Sequence, residues 1–121
     1  MITNKCSLRC FSCAYGCEDK DNDWFITKGD FITILNKIKN TNIDNCTKYS
    51  INLTGGDPLL HKDWKELALL TRKILPDCVC YISTSGPLLV NLEDNILIDC
   101  YKNNIRFGIT LYPSMKLLQM Y

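Results

Sequence analysis

The chain has one histidine, His61, in 121 residues. Ser–His and Cys–His nucleophilic pairs therefore have a single base to draw on, and zinc sites built from several imidazoles are excluded. Charge of one sign is missing too: 14 Lys and Arg against 13 Asp and Glu leave a net +1. That balance offers no field to steer a nucleic acid or an anionic membrane, and neither is expected as a partner. Near the N-terminus Lys5, Arg9, Lys20 and Lys28 are offset by Glu18, Asp19, Asp21 and Asp23, which reads as a solvated face. No apolar run approaches the roughly 20 residues of a membrane span. Met1–Lys5 lacks the apolar segment of a secretory signal. Repeats and low-complexity linkers are absent, so residues 1–121 are expected to form one domain. A chain of this length can bury a core without disulfides.

Cysteine is what the chain has in abundance, with eight. Without a secretory signal these read as reduced thiols and ligands rather than a disulfide framework, and a cytoplasmic location is expected. Three of them stand in Cys6-Ser7-Leu8-Arg9-Cys10-Phe11-Ser12-Cys13, a C-x3-C-x2-C run. Three closely spaced thiolates can hold three irons of a four-iron cluster and leave the fourth iron without a protein ligand. Clusters that only transfer electrons close every iron with Cys; an open position is what catalytic metal sites keep. The same run also suits a zinc knuckle that borrows other thiols, or reduced cysteines with no ligand. Cys17 reads as a bystander, because closing the fourth iron would block chemistry there. Cys46, Cys78, Cys80 and Cys100 read as small buried hydrophobes, and His61 as a helix-entry residue.

Strand-like and helix-like segments alternate, which predicts an α/β fold with parallel strands. Met1–Thr3 is a short first strand that leads straight into the Cys loop. Thr27 to Asp30 can cap a helix over 28–40, with Phe31, Ile34, Leu35 and Ile38 at helical spacing. Tyr49–Thr54 reads as the second strand and 62–75 as the second helix, carrying Trp64, Leu67, Leu70 and Ile74 on one side. Val79–Thr84 is the third strand. Residues 93–103 form the third helix, with Ile96, Leu97, Cys100 and Tyr101 facing inward. Ile105–Leu111 is the fourth strand, and a helical stub over 115–121 ends the chain. The Cys loop, Gly55-Gly56-Asp57-Pro58, Ser85-Gly86-Pro87 and Thr110 to Pro113 all fall at carboxyl ends of these strands, where β/α barrels and open α/β sheets bind ligands. The second and fourth strands alternate apolar with polar residues, whereas a parallel sheet covered on both faces is apolar on both. One face is therefore expected to line a cavity, with Ser50, Asn52, Thr54, Gly108 and Thr110 towards it; the third strand is too uniform to orient.

With these segments in order, the chain resembles the radical SAM superfamily. Cys6, Cys10 and Cys13 match its CxxxCxxC motif. Gly55-Gly56-Asp57-Pro58-Leu59-Leu60-His61 is similar to its GGEPLL segment, and Ile82-Ser83-Thr84-Ser85-Gly86 to its I-x-T-N-G stretch. The resemblance implies a partial (β/α) barrel of parallel strands with about four β/α units, against about six in usual members at roughly 30 residues each. It implies that the three thiolates hold a [4Fe-4S] cluster whose open iron is chelated by S-adenosylmethionine. That pair, once reduced, would yield a 5′-deoxyadenosyl radical for hydrogen abstraction from an unknown substrate. A reductant such as ferredoxin or flavodoxin would supply the electron. By the same resemblance Gly55 and Gly56 let backbone approach the cofactor, Asp57 accepts from its ammonium, Thr110 meets a ribose hydroxyl, and Ser83 or Ser85 its carboxylate or ribose. Three departures stand out. Asp57 replaces the usual Glu and is shorter by about 1.5 Å. Ser12 occupies a position often aromatic or His, so Phe11 or Tyr15 would stand in near adenine. The chain also stops after the fourth strand, leaving an unpaired edge near Phe107 and Ile109 for a completing chain or self-association. The alternative to an enzyme is a truncated, non-catalytic iron–sulfur or zinc-binding module.

Overall fold

The computed structural model describes residues 1–8, 10, 13, 15, 17, 22–41 and 49–110. The helix α1, Lys28–Asn40, begins where the side chain of Thr27 accepts from the Asp30 N–H at 3.1 Å and donates to the Asp30 carboxylate at 2.7 Å. Strand β1, Ser50–Leu53, is followed by a 3₁₀ turn at Pro58–Leu60, helix α2 (Trp64–Ile74), strand β2 (Val79–Thr84), a short helix α3 (Pro87–Val90), helix α4 (Asp94–Lys102) and strand β3 (Ile105–Ile109). The three strands form one parallel sheet in the order β1-β2-β3, with Ile51 opposite Cys80 and Cys80 opposite Ile105. The third helix and the last strand thus follow the expected alternation, and the fold class is α/β.

The register assigns the faces. Leu53, Cys80, Ile82 and Ile105 are buried in one core with Phe31 and Leu35 of α1, Trp64, Leu67 and Ala68 of α2, and Cys100 of α4. The edge of Trp64 meets the Phe107 ring at 6.1 Å between centroids. Alternate residues Asn52, Tyr81 and Arg106 lie on the other face, where Asn52 and Tyr81 are exposed. Among the described residues α1, α2 and α4 pack on the first face, and β2, whose orientation its composition leaves open, turns Cys80, Ile82 and Thr84 inward. The Cys78, Cys80 and Cys100 thiols are buried as expected; Cys46, the interior of the Cys loop at 9, 11, 12 and 14, Leu111 and the stub at 115–121 lie outside the described residues.

Four local expectations are corrected. Met1–Thr3 is not a full strand: Thr3 alone bridges Gly55 in parallel and Phe25 in antiparallel. The second helix starts at Trp64 because the 3₁₀ turn and the His61 imidazole intervene, His61 Nδ1 accepting from the Asp63 N–H at 3.1 Å. Tyr101 is 70% exposed. It sits about 100° around the helix from Cys100, off the buried stripe, with its ring 4.7 Å from the Arg106 guanidinium. Ile34 is 46% exposed. No helix among the described residues is long and apolar enough to cross a membrane.

Candidate functional site

Backbone pairing builds the site from below. The segment 2–5 runs beside the residues that follow β1: Ile2 N donates to Thr54 O at 2.7 Å, Gly56 N to Thr3 O at 2.9 Å and Asp57 N to Lys5 O at 2.7 Å. On its other side Ile26 N donates to Ile2 O at 2.9 Å, and Asn4 clamps the returning chain, its Oδ1 accepting from Trp24 N and its Nδ2 donating to Asn22 O at 2.8 Å. Residues 2–5 and 22–26, which flank the Cys loop, are thus pinned together, and Cys6 stands next to the turn after β1.

The glycines in that turn are required by this pairing. A Cβ on Gly55 would lie 2.3 Å from Thr3 O, and one on Gly56 2.2 Å from Lys5 O. No side chain tolerates such contacts with backbone, so the chain's own segment 3–5 occupies the space that these two residues leave.

Above this base lies a cavity of about 440 Å³, within the size range of small-molecule sites. Cys6, Cys10 and Cys13 line it, together with Tyr15 and Cys17 from the same loop. The strand ends supply Asn52, Thr54, Gly55 and Gly56 after β1, Ser83, Thr84 and Ser85 at β2, and Thr110 after β3. The three motif thiols are half-buried and none is in a disulfide. Among the described residues no three His, Cys, Asp or Glu side chains converge on a single ion. A four-iron cluster asks for something else, each thiolate on a different iron, and three separate thiols at one end of a polar-walled cavity fit that donor set.

The sequence-derived residues distribute unevenly. Gly55, Gly56, Ser83, Ser85 and Thr110 line the cavity, as do Asn52 and Thr54 from the face expected to be polar; Ser50 and Gly108 do not. Ser83 Oγ donates to Asn52 Oδ1 at 2.8 Å, so the β1–β2 register couples two lining groups. Asp57 is fully buried and absent from the lining. Its Oδ1 accepts from Leu59 N at 3.1 Å, and its Oδ2 from Thr84 Oγ1 at 2.8 Å, Ser85 Oγ at 2.9 Å and Ser85 N at 3.3 Å.

Thr84 and Cys17 were not among the residues singled out for the site. Nothing local marks Thr84. Cys17 is 4% exposed. Burial, a hydrogen bond with the Cys13 thiol and the neighbouring thiols of Cys13, Cys6 and Cys10 push it up to about 12.

Comparison with known proteins places the chain among relatives. Over 120 residues the chain is 35% identical to a Methanocaldococcus jannaschii protein named "Probable GTP 3',8-cyclase", covering 94% of this chain and 36% of that relative. Two Saccharolobus islandicus proteins of the same name, from strains L.S.2.15 and Y.G.57.14, are 33% identical over 66 residues, covering 54% of this chain and 20% of each relative. The chain therefore spans about a third or less of the length of these relatives. No solved structure gives a significant match. Members of the family recognised below use a [4Fe-4S] cluster and S-adenosylmethionine. With a family model matching residues 1–111, which include every cavity-lining position, the chain belongs to the Radical SAM superfamily.

Proposed function

We propose that this chain binds a [4Fe-4S] cluster through Cys6, Cys10 and Cys13 and holds S-adenosylmethionine against it along Gly55, Gly56, Ser83, Ser85 and Thr110, as part of a radical SAM enzyme. The observation that carries the reading is the shared cavity, lined together by the three motif thiols and the polar carboxyl ends of three parallel strands. When bound, the cluster and cofactor supply one-electron reductive cleavage to a 5′-deoxyadenosyl radical, which abstracts hydrogen from a substrate. The chain's own part is positional. The loop base closed by Asn4, Trp24 and Gly56 holds the thiols at one end. The Asn52–Ser83 pair offers hydroxyl and amide groups to the cofactor's polar atoms.

A partial (β/α) barrel of about four units, spanning 1–121 as a single domain, belongs to the same proposal. It is supported by the sequential strand order, by helices on one face, and by the Thr3 bridge beside Gly55. Further strands, a completing chain or a second copy would join along β3. A reductant such as ferredoxin or flavodoxin and a cytoplasmic, reducing location follow from the chemistry. The relatives' names make GTP the first substrate to test.

The test is anaerobic reconstitution with iron and sulfide. The expected product is brown, with about four irons per chain, and after one-electron reduction it gives an electron paramagnetic resonance signal that shifts when S-adenosylmethionine is added. Dithionite and cofactor together should then give 5′-deoxyadenosine. Cys10→Ala should lose the cluster. A normal four-iron spectrum in that variant, or a wild-type chain that takes up only zinc, would refute the ligand assignment.

A further inference from the structure

Asp57 is the residue that the family resemblance sends to the cofactor's ammonium, and its surroundings point elsewhere. Its carboxylate is fully buried, and the cavity is lined on both sides of it by Gly56 and Ser85 but not by Asp57 itself. Four donors already converge on its two oxygens: Leu59 N, Thr84 Oγ1, Ser85 N and Ser85 Oγ. The Thr84 oxygen also accepts from Gly86 N at 3.3 Å, so this hydroxyl both donates and accepts. Through its own N–H, Asp57 reaches Lys5 O at 2.7 Å, one residue before Cys6.

We infer that Asp57 is a positioning residue, whose carboxylate ties the turn after β1 to the end of β2 and thereby sets where the Cys loop stands, and that it does not pair with the cofactor's ammonium. The shorter side chain explains the difference from Glu. An Asp at the N-cap of the 3₁₀ turn accepts from the N–H two residues on, at Leu59, a local bond that short acidic side chains favour. A Glu carries its carboxylate about 1.5 Å further. Charge-assisted bonds of this kind are roughly twice as strong as neutral ones, so diverting the carboxylate to a cofactor would strip four donors, one of them fully buried, of their acceptor. The inference rests on the proposed cofactor site for its binding arm only; its stability arm is read without any cofactor.

The stability arm uses urea unfolding of the cluster-free chain with Asp57→Asn, Thr84→Val and the double variant. An Asn offers one acceptor oxygen, so it can serve Leu59 N or Ser85 N but not both. Each single change should lower the folding equilibrium constant at least about fivefold, and the double variant should fall short of the product by about fivefold or more. Ser85→Ala paired with Asp57→Asn gives the same reading should Thr84→Val fail to fold. Multiplicative, uncoupled effects overturn the inference.

The binding arm compares S-adenosylmethionine dissociation constants, read from the cofactor-induced shift of the reduced cluster's resonance and normalised to iron content. Asp57→Asn should lower cluster loading yet leave the constant within about threefold and the shift intact. A tenfold or greater weakening at unchanged cluster loading and stability would show that the carboxylate pairs with the ammonium, and would overturn the inference. A wild-type chain that assembles no cluster would sink the proposed function, while the coupling measurement would still decide the role of Asp57.

Discussion

Replacing Gly56 by Ala should damage this protein severely for a single added methyl group. The new Cβ would stand 2.2 Å from Lys5 O, 2.4 Å from Lys5 C and 2.7 Å from Asn4 O. Carbon and backbone oxygen pack no closer than a little over 3 Å, so segment 4–5 must retreat by about 1 Å. All three obstructing atoms are backbone and cannot rotate away. Overpacking of this kind costs about 1–3 kcal/mol. The retreat also pulls apart the bonds from Gly56 N to Thr3 O and from Asp57 N to Lys5 O, each worth about 1 kcal/mol net. The sum is about 3–5 kcal/mol, a large share of the roughly 5–15 kcal/mol that holds a domain of this size together. Urea titration of the cluster-free chain measures it as a shift in midpoint at unchanged slope. Because the displaced segment leads directly into Cys6, iron bound per chain after reconstitution should fall as well. Gly29→Ala is the matched control, since its Cβ would meet nothing nearer than Thr27 Oγ1 at 4.0 Å. Near the start of α1 that change should be neutral or stabilise by up to about 1 kcal/mol. A Gly56→Ala chain within about 0.5 kcal/mol of wild type, with full iron loading, would refute the reasoning.

Three further outcomes are expected. Burial drives the Cys80 thiol up to about 12 from an ordinary 9.0. The unfolded chain then loses this proton first, and stability falls as pH rises from about 9 towards 12, by at most about 1.4 kcal/mol per pH unit. Cys80→Ala should flatten that slope in unfolding titrations, and a slope unchanged by the substitution would contradict it. Arg72 donates to Asn103 O at 2.9 Å, to Leu75 O at 3.2 Å and to Cys78 O, joining the ends of α2 and α4. Arg72→Leu should cost about 1–3 kcal/mol without changing iron content, and loss of the cluster in a folded variant would show that its role reaches the site. Ser83→Ala removes the bond to Asn52 at an exposed pair. Stability should move by no more than about 0.5 kcal/mol, while the S-adenosylmethionine dissociation constant rises roughly 2- to 10-fold; an unchanged constant would remove Ser83 from the proposed site.

Most of the framework is legible in the order of residues, because local chemistry decides it. Thr27 followed by Asp30 sets the start of α1. The apolar run from Val79 to Thr84 gives β2 its observed bounds. The spacing of Cys6, Cys10 and Cys13 singles out the candidate metal-binding loop, since thiolate ligands have few other reasons to recur so closely. Alternation in β1 places Asn52 and Thr54 on the cavity face before any coordinates are known, because successive strand residues must point to opposite sides.

Other features depend on what lies across space. Tyr101 and Ile34 keep helical spacing yet point outward, since periodicity does not say how wide a stripe the neighbours cover. The facing of β2 waits on its register with Ile51 and Ile105. Above all, the Gly-Gly-Asp turn takes its meaning from partners 27 to 53 residues away in the chain: Thr3 and Lys5 fill the space beside the two glycines, and Thr84 and Ser85 take up the Asp57 carboxylate. The sequence by itself determined that three thiols and a glycine-rich acidic turn sit at strand ends. Only the tertiary structure decided that the turn grips the Cys loop, because close backbone packing and saturation of a buried carboxylate belong to segments that meet only after folding.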